Sequence, residues 1–181
     1  MNRSALCIVV ILISALFWAP VISAASSQPD NKALSQMSAR VLVFVSGLKG
    51  SEDLTWKHIE KSLKISLSRM DDGGIYTSDD AGDGWVYSVQ YFRWGGAMHD
   101  GFQFGLYPAS ISAEFQRACI ASMDDVSKAL VSHGYVEKSP VDPTSKTSLR
   151  TFTKNDLVIE ARAGSSIAPS DDCVRLIATK D

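Results

Sequence analysis

Residues 5–19 form an almost unbroken apolar run, and what becomes of that run decides what the rest of the chain can fold into. If retained, it must sit in a bilayer or at the centre of a fold; if removed, it leaves an ordinary globular domain. Arg3 stands before the run, Ser14 alone interrupts it, Pro20 ends it, and Val21-Ile22-Ser23-Ala24-Ala25 supplies small residues. These are the charged, apolar and cleavage regions of a secretory signal peptide. A spanning helix wants ~20 apolar residues, more than this run offers. Residues 1–25 are therefore expected to be removed, with the cut before Ser26 and Ser23 and Ala25 at the −3 and −1 positions (Val21 and Ser23 being the other option). No membrane span is expected afterwards.

Cysteine usage follows from that compartment. Cys7 leaves with the leader, so Cys119 and Cys173 remain, and in an oxidising space they have one internal pairing. Their spacing fits neither a C-x-x-C redox pair nor a zinc site. Acidic residues slightly outnumber basic ones, 20 Asp and Glu against 18 Lys and Arg. Nucleic acid demands a concentrated positive surface, so it is not an expected partner. The expected setting is secretion or a bacterial periplasm.

Residues 26–40 are polar and small and read as a flexible arm, leaving 41–181 as a single domain. Val41 to Val45 is a short continuous apolar run that reads as a buried strand. Trp56, Ile59, Leu63, Leu67 and Met70 recur at helical spacing, predicting a helix over 52–70 capped by Ser51 and stopped by Gly73-Gly74. Strands are predicted at 75–77, 85–94 and 102–106, with Trp85, Tyr87, Val89 and Tyr91 sharing one face. A second helix is predicted over 111–132, with Phe115, Cys119, Met123, Val126 and Leu130 as its stripe and His133-Gly134 at its end. Strands at 135–137, 149–154, 157–162 and 173–179 follow, with Asn155-Asp156 as a two-residue hairpin turn. The class is α+β: two amphipathic helices packed on mainly antiparallel sheet, in an order compatible with tandem α-β-β-β units.

Catalytic motifs are not found. Asp79 to Gly84 carries part of a calcium loop, but Ala81 and Gln90 occupy ligand positions, so a solvated acidic turn is the expectation. Gly47 to Ser51 lacks phosphate-loop spacing. His58-Ile59-Glu60 lacks the cysteines of a zinc deaminase. No metal or cofactor is expected. The segment Arg93-Trp94-Gly95-Gly96-Ala97-Met98-His99-Asp100-Gly101 is the most distinctive: Arg, Trp and Met among glycines are typical of contact surfaces. Arg93, Trp94, Met98, His99 and Asp100 are thus the candidate binding residues. The expected function is non-catalytic docking on another protein, as an inhibitor or immunity protein does. Two alternatives are a hydrolase using His99 and Asp100, and a carrier of a small apolar ligand or lipid whose cavity is lined by the aromatic face of 85–94.

Overall fold

The computed structural model describes residues 32–79, 81–82, 84–94, 99–110, 118–138, 148–164 and 172–180. The fold is α+β: the described residues form three α-helices and a nine-stranded sheet whose ladders are antiparallel. Helix α1 is Lys32–Gly47, a 3-10 turn follows at Ser51–Asp53, and α2 is Trp56–Leu63. Strands β1 (Ser68–Met70), β2 (Gly73–Thr77), β3 (Trp85–Trp94) and β4 (His99–Pro108) run as a meander. After β5 (Ala121–Ser122) and α3 (Met123–Ser132), a second meander follows: β6 (Val136–Lys138), β7 (Leu149–Lys154), β8 (Leu157–Ala163) and β9 (Cys173–Lys180). The strand order is β1-β2-β3-β4-β9-β8-β7-β6, with β5 also on β9. The last strand of each meander therefore meets its counterpart at the centre, and the first strand of each lies at an edge.

The helices cover one face. Phe44 of α1 meets Phe102 of β4 edge-on at 5.1 Å, and Trp56 of α2 meets Tyr91 of β3 at 5.8 Å. The cross-strand rows Tyr87–Leu106, Val89–Phe104 and Tyr91–Phe102 supply the sheet side of the core. The aromatic face of β3 is thus packing surface against the helices, with Val89 fully buried. At Gly74 the start of α2 lies against the sheet: a Cβ there would be 2.3 Å from the Trp56 ring.

Several elements differ from the sequence expectation. The run Val41–Val45, expected as a strand, is helical, and residues 32–40, expected as part of an arm, are the start of the same helix. The reason is tertiary: Leu34, Met37, Val41, Phe44 and Leu48 are buried at steps of 3 and 4, while Val43 is 73% exposed. The helix expected over 52–70 is shorter. Its N-cap is Thr55, whose hydroxyl accepts the His58 N–H, not Ser51. It ends at Lys64, a left-handed residue at φ 57°, because the Glu60 carboxylate takes the Leu67 N–H at 2.8 Å and turns the chain into β1. Gly73 and Gly74 begin β2 rather than stop a helix. In the second half α3 starts at Met123, capped by Ser122, which accepts the Asp125 N–H, and positions 111–117 of the expected helix lie outside the described residues. Cys119 precedes it in a non-helical segment, and Phe115 lies outside the described residues. The remaining strands fall within a few residues of expectation, and the Asn155-Asp156 turn joins β7 to β8.

Two ties fasten connecting segments to the strands. Cys119 and Cys173 stand at disulfide distance, with Cα atoms 5.2 Å apart, and the Ile120 N–H donates to Val174 O alongside. At the other tie, the β7–β8 turn grips the chain between α1 and α2. Lys154 Nζ donates to Leu48 O at 2.9 Å, Asn155 Nδ2 donates to Lys49 O at 2.7 Å, and the Asp156 carboxylate accepts the backbone N–H and hydroxyl of Ser51. No helix among the described residues is long and apolar enough to cross a membrane.

Candidate functional site

The β3–β4 hairpin is the longest ladder of the sheet, ten residues on each strand, paired from Trp85–Pro108 to Trp94–His99. Its register sets Arg93 directly opposite Asp100. Arg93 Nε lies 3.3 Å from Asp100 Oδ1 and donates to the Tyr91 hydroxyl at 3.2 Å. The Arg93 backbone N–H donates to Asp72 O at 2.8 Å, which fastens the β1–β2 turn to the same end. The Arg93 side chain remains 65% exposed. An ion pair this open, screened by water, contributes little stability. Its effect is orientation: the guanidinium is fixed by two partners and still faces solvent. Burial, above all, lifts the Tyr91 hydroxyl above the ordinary tyrosine range.

The structure brings Arg93 and Asp100 together as an ion pair and makes positions 94 and 99 the last pair of the ladder. Positions 99 and 100 are consecutive in a strand and so belong to opposite faces of the sheet. The side chains of Trp94 and His99, and all of Met98, lie outside the described residues. The other two histidines serve the fold. His58 packs edge-on against Phe44 at 5.3 Å, with Nδ1 2.8 Å from Asp53 O. His133 Nδ1 lies 2.8 Å from Ala129 O at the end of α3. In the acidic turn, Ala81 is fully buried, while Asp80 and Asp83 lie outside the described residues. Among the described residues no cluster of three metal-ligating side chains occurs.

Sequence reasoning missed a groove beside Arg93. It opens between the start of α2 and the edge strand β1, with a volume of about 360 Å³. Trp56 and Tyr91 meet in it at a T-shaped contact, and Lys57, Arg69 and Arg93 surround them. Met70, 61% exposed, forms part of the wall. The helical spacing of Trp56 read as core, and β1 is three residues long with no alternation to reveal it. Only the pairing of β1 with β2 carries Arg69 to Trp56. Comparison with family models, curated proteins and solved structures finds no match.

Proposed function

We propose that this is a small exported protein that acts by docking on another protein, without chemistry of its own, as an inhibitor or immunity protein does. The observation that carries the reading is Arg93: held by Tyr91 and Asp100, largely exposed, and set beside an open aromatic groove. An arginine fixed before contact loses little side-chain entropy on binding, and Arg and Trp dominate contact energies at protein interfaces. Trp94 and Met98 lie close to Arg93 in the sequence. The leader-like residues 1–25 and the paired Cys119 and Cys173 support secretion or a periplasmic setting. The excess of acidic over basic residues favours a protein over nucleic acid as partner. Two helix-led meanders meeting at their last strands favour tandem units as the origin of the fold.

The test begins with capture of a partner from the source organism by the exported protein, followed by titration of the purified pair. Trp94→Ala combined with Met98→Ala is expected to weaken the complex tenfold or more, since ~1.4 kcal/mol is a factor of ten. The melting temperature is read alongside. A folded double variant that binds as tightly as the parent would refute the hairpin as the contact. A variant that melts far earlier would place both residues in the core.

A further inference from the structure

The two ends of the sheet offer matching places, and they are closed differently. Edge strands β1 and β6 each follow a helix, α2 and α3 respectively. At the β6 end the middle residue, Glu137, is fully engaged. It accepts the Ser127 hydroxyl of α3 and pairs with Arg150 at 3.2 Å, and Arg150 also reaches Asp124 of α3 at 3.2 Å. At the β1 end the middle residue is Arg69, which shares the groove with Lys57 of α2. Among the described residues neither cation pairs with a carboxylate. Asp71 is the acid on the groove lining, and Asp100 is committed to Arg93. One junction carries its own counter-charge; the other leaves two cations open over an apolar floor.

We propose that this groove receives an acidic segment of the partner protein, its carboxylates seated between Lys57, Arg69 and Arg93 over Trp56 and Tyr91. The proposal rests on the docking reading above and names the chemistry of the partner. The chain as a whole carries a formal charge of −2, so its overall field does not attract an acidic segment, and the attraction has to come from this local arrangement. The guanidinium fork of Arg69 suits a carboxylate, and aromatic walls that exclude water strengthen a charge-assisted hydrogen bond.

The experiment uses the 15N-labelled protein purified after export and a short peptide of alternating Glu and Leu as probe. Saturable shifts at the Trp56 indole and at the amides of Lys57, Arg69 and Arg93 are expected, weakening as salt rises. Lys57→Glu combined with Arg69→Glu is expected to reduce affinity at least tenfold with the melting temperature unchanged, since both side chains are exposed. Arg69→Lys, which keeps charge and loses the fork, is expected to fall between. Equal binding of the Gln-for-Glu peptide overturns the proposal. So does binding of anionic phosphatidylglycerol vesicles but not of the peptide, or displacement of the peptide by inorganic phosphate at equal affinity. Failure here is separable from failure of docking itself. If the Trp94→Ala, Met98→Ala variant loses the natural partner while the charge-reversed groove keeps it, the hairpin contact stands and the acidic segment falls.

Discussion

Replacing Tyr135 by Phe removes one oxygen, and the structure says what that oxygen does. Tyr135 is 3% exposed, and its hydroxyl donates to Val45 O at 2.8 Å, 90 residues away in sequence. Val45 lies in the last turn of α1, where carbonyls have no partner within the helix. The hydroxyl therefore caps a buried orphan acceptor. Removing it leaves that acceptor unsatisfied, at a cost of about 1–3 kcal/mol at neutral pH. For a domain of this size the melting temperature should fall by roughly 2–10 °C. The same hydroxyl sets a pH dependence. Burial, with the negative charge of Asp53 second, pushes Tyr135 up to about 12, whereas an unfolded tyrosine titrates near ~10. The folded state thus holds its proton longer than the unfolded one. The stabilisation is complete below the unfolded value and is lost as pH rises toward 12, at a slope of up to about 1.4 kcal/mol per pH unit. Tyr87, also lifted to about 12 by burial and by Tyr76, adds to that slope in the parent. Urea unfolding at 25 °C, measured from pH 7 to 11.5, should show the variant weaker at pH 7 and less steep above pH 10. Equal stability at pH 7 together with a parallel alkaline limb would refute the assignment of this hydroxyl to Val45.

Three further variants probe the frame. Gly74→Ala places a methyl group into the Trp56 ring and should cost about 1–3 kcal/mol by urea unfolding, with much of the loss recovered in a Trp56→Leu background. Cys119→Ser opens a 54-residue span; the chain-entropy account gives ~4 kcal/mol, and an unchanged urea midpoint in the non-reduced protein would contradict it. Asp156→Ala removes the acceptor for Ser51 and should cost about 0.5–2 kcal/mol while accelerating hydrogen exchange at residues 51–57. Exchange confined to the turn at 155–156 would show that the grip on Ser51 carries no load.

Legibility from sequence followed the sharpness of local punctuation. The second meander is well marked: Asn155-Asp156 sits where β7 must reverse, and Asn155 adopts a positive φ of 54°. His133-Gly134 ends α3, with Gly134 at φ 88°. In the first half the decisive facts are tertiary. Helix α1 contains Val41, Val43 and Val45, which favour strand locally, and its helical character shows only when Leu34 and Met37 are read with them. Helix α2 stops at Lys64 without glycine or proline, because a side chain from its own last turn captures the following backbone. Spacing alone puts Cys119 on a helix stripe, whereas what fixes it is the contact of its neighbour Ile120 with β9. The candidate site divides the same way. Arg93 and Asp100 are picked out by composition, as Arg, Trp and Met among glycines, and only the strand register shows that they pair. Trp56 and Arg69 are not picked out, since their approach depends on a three-residue strand pairing with β2.

The frame and the candidate surface are physically linked through one end of the sheet. The antiparallel registers of β4 with β9 and of β9 with β8 bring the β7–β8 turn to the same end as the β3–β4 turn. From there Asn155 and Asp156 fasten Lys49 and Ser51, and Asp53 fixes the Lys49 N–H at 2.8 Å. Two residues later Thr55 caps α2, and the next two side chains are Trp56 and Lys57, one wall of the groove. The opposite wall is fastened separately, by the Arg93 N–H on Asp72 O. Each wall is therefore anchored by hydrogen bonds made outside the groove, and none of these anchoring bonds uses the side chain of Lys57 or Arg69. A groove whose cations held their own walls together would lose them on binding. This one does not have to break a contact of its own to accept a carboxylate at Lys57 or Arg69. That separation of scaffold from surface is what a preorganised docking site requires.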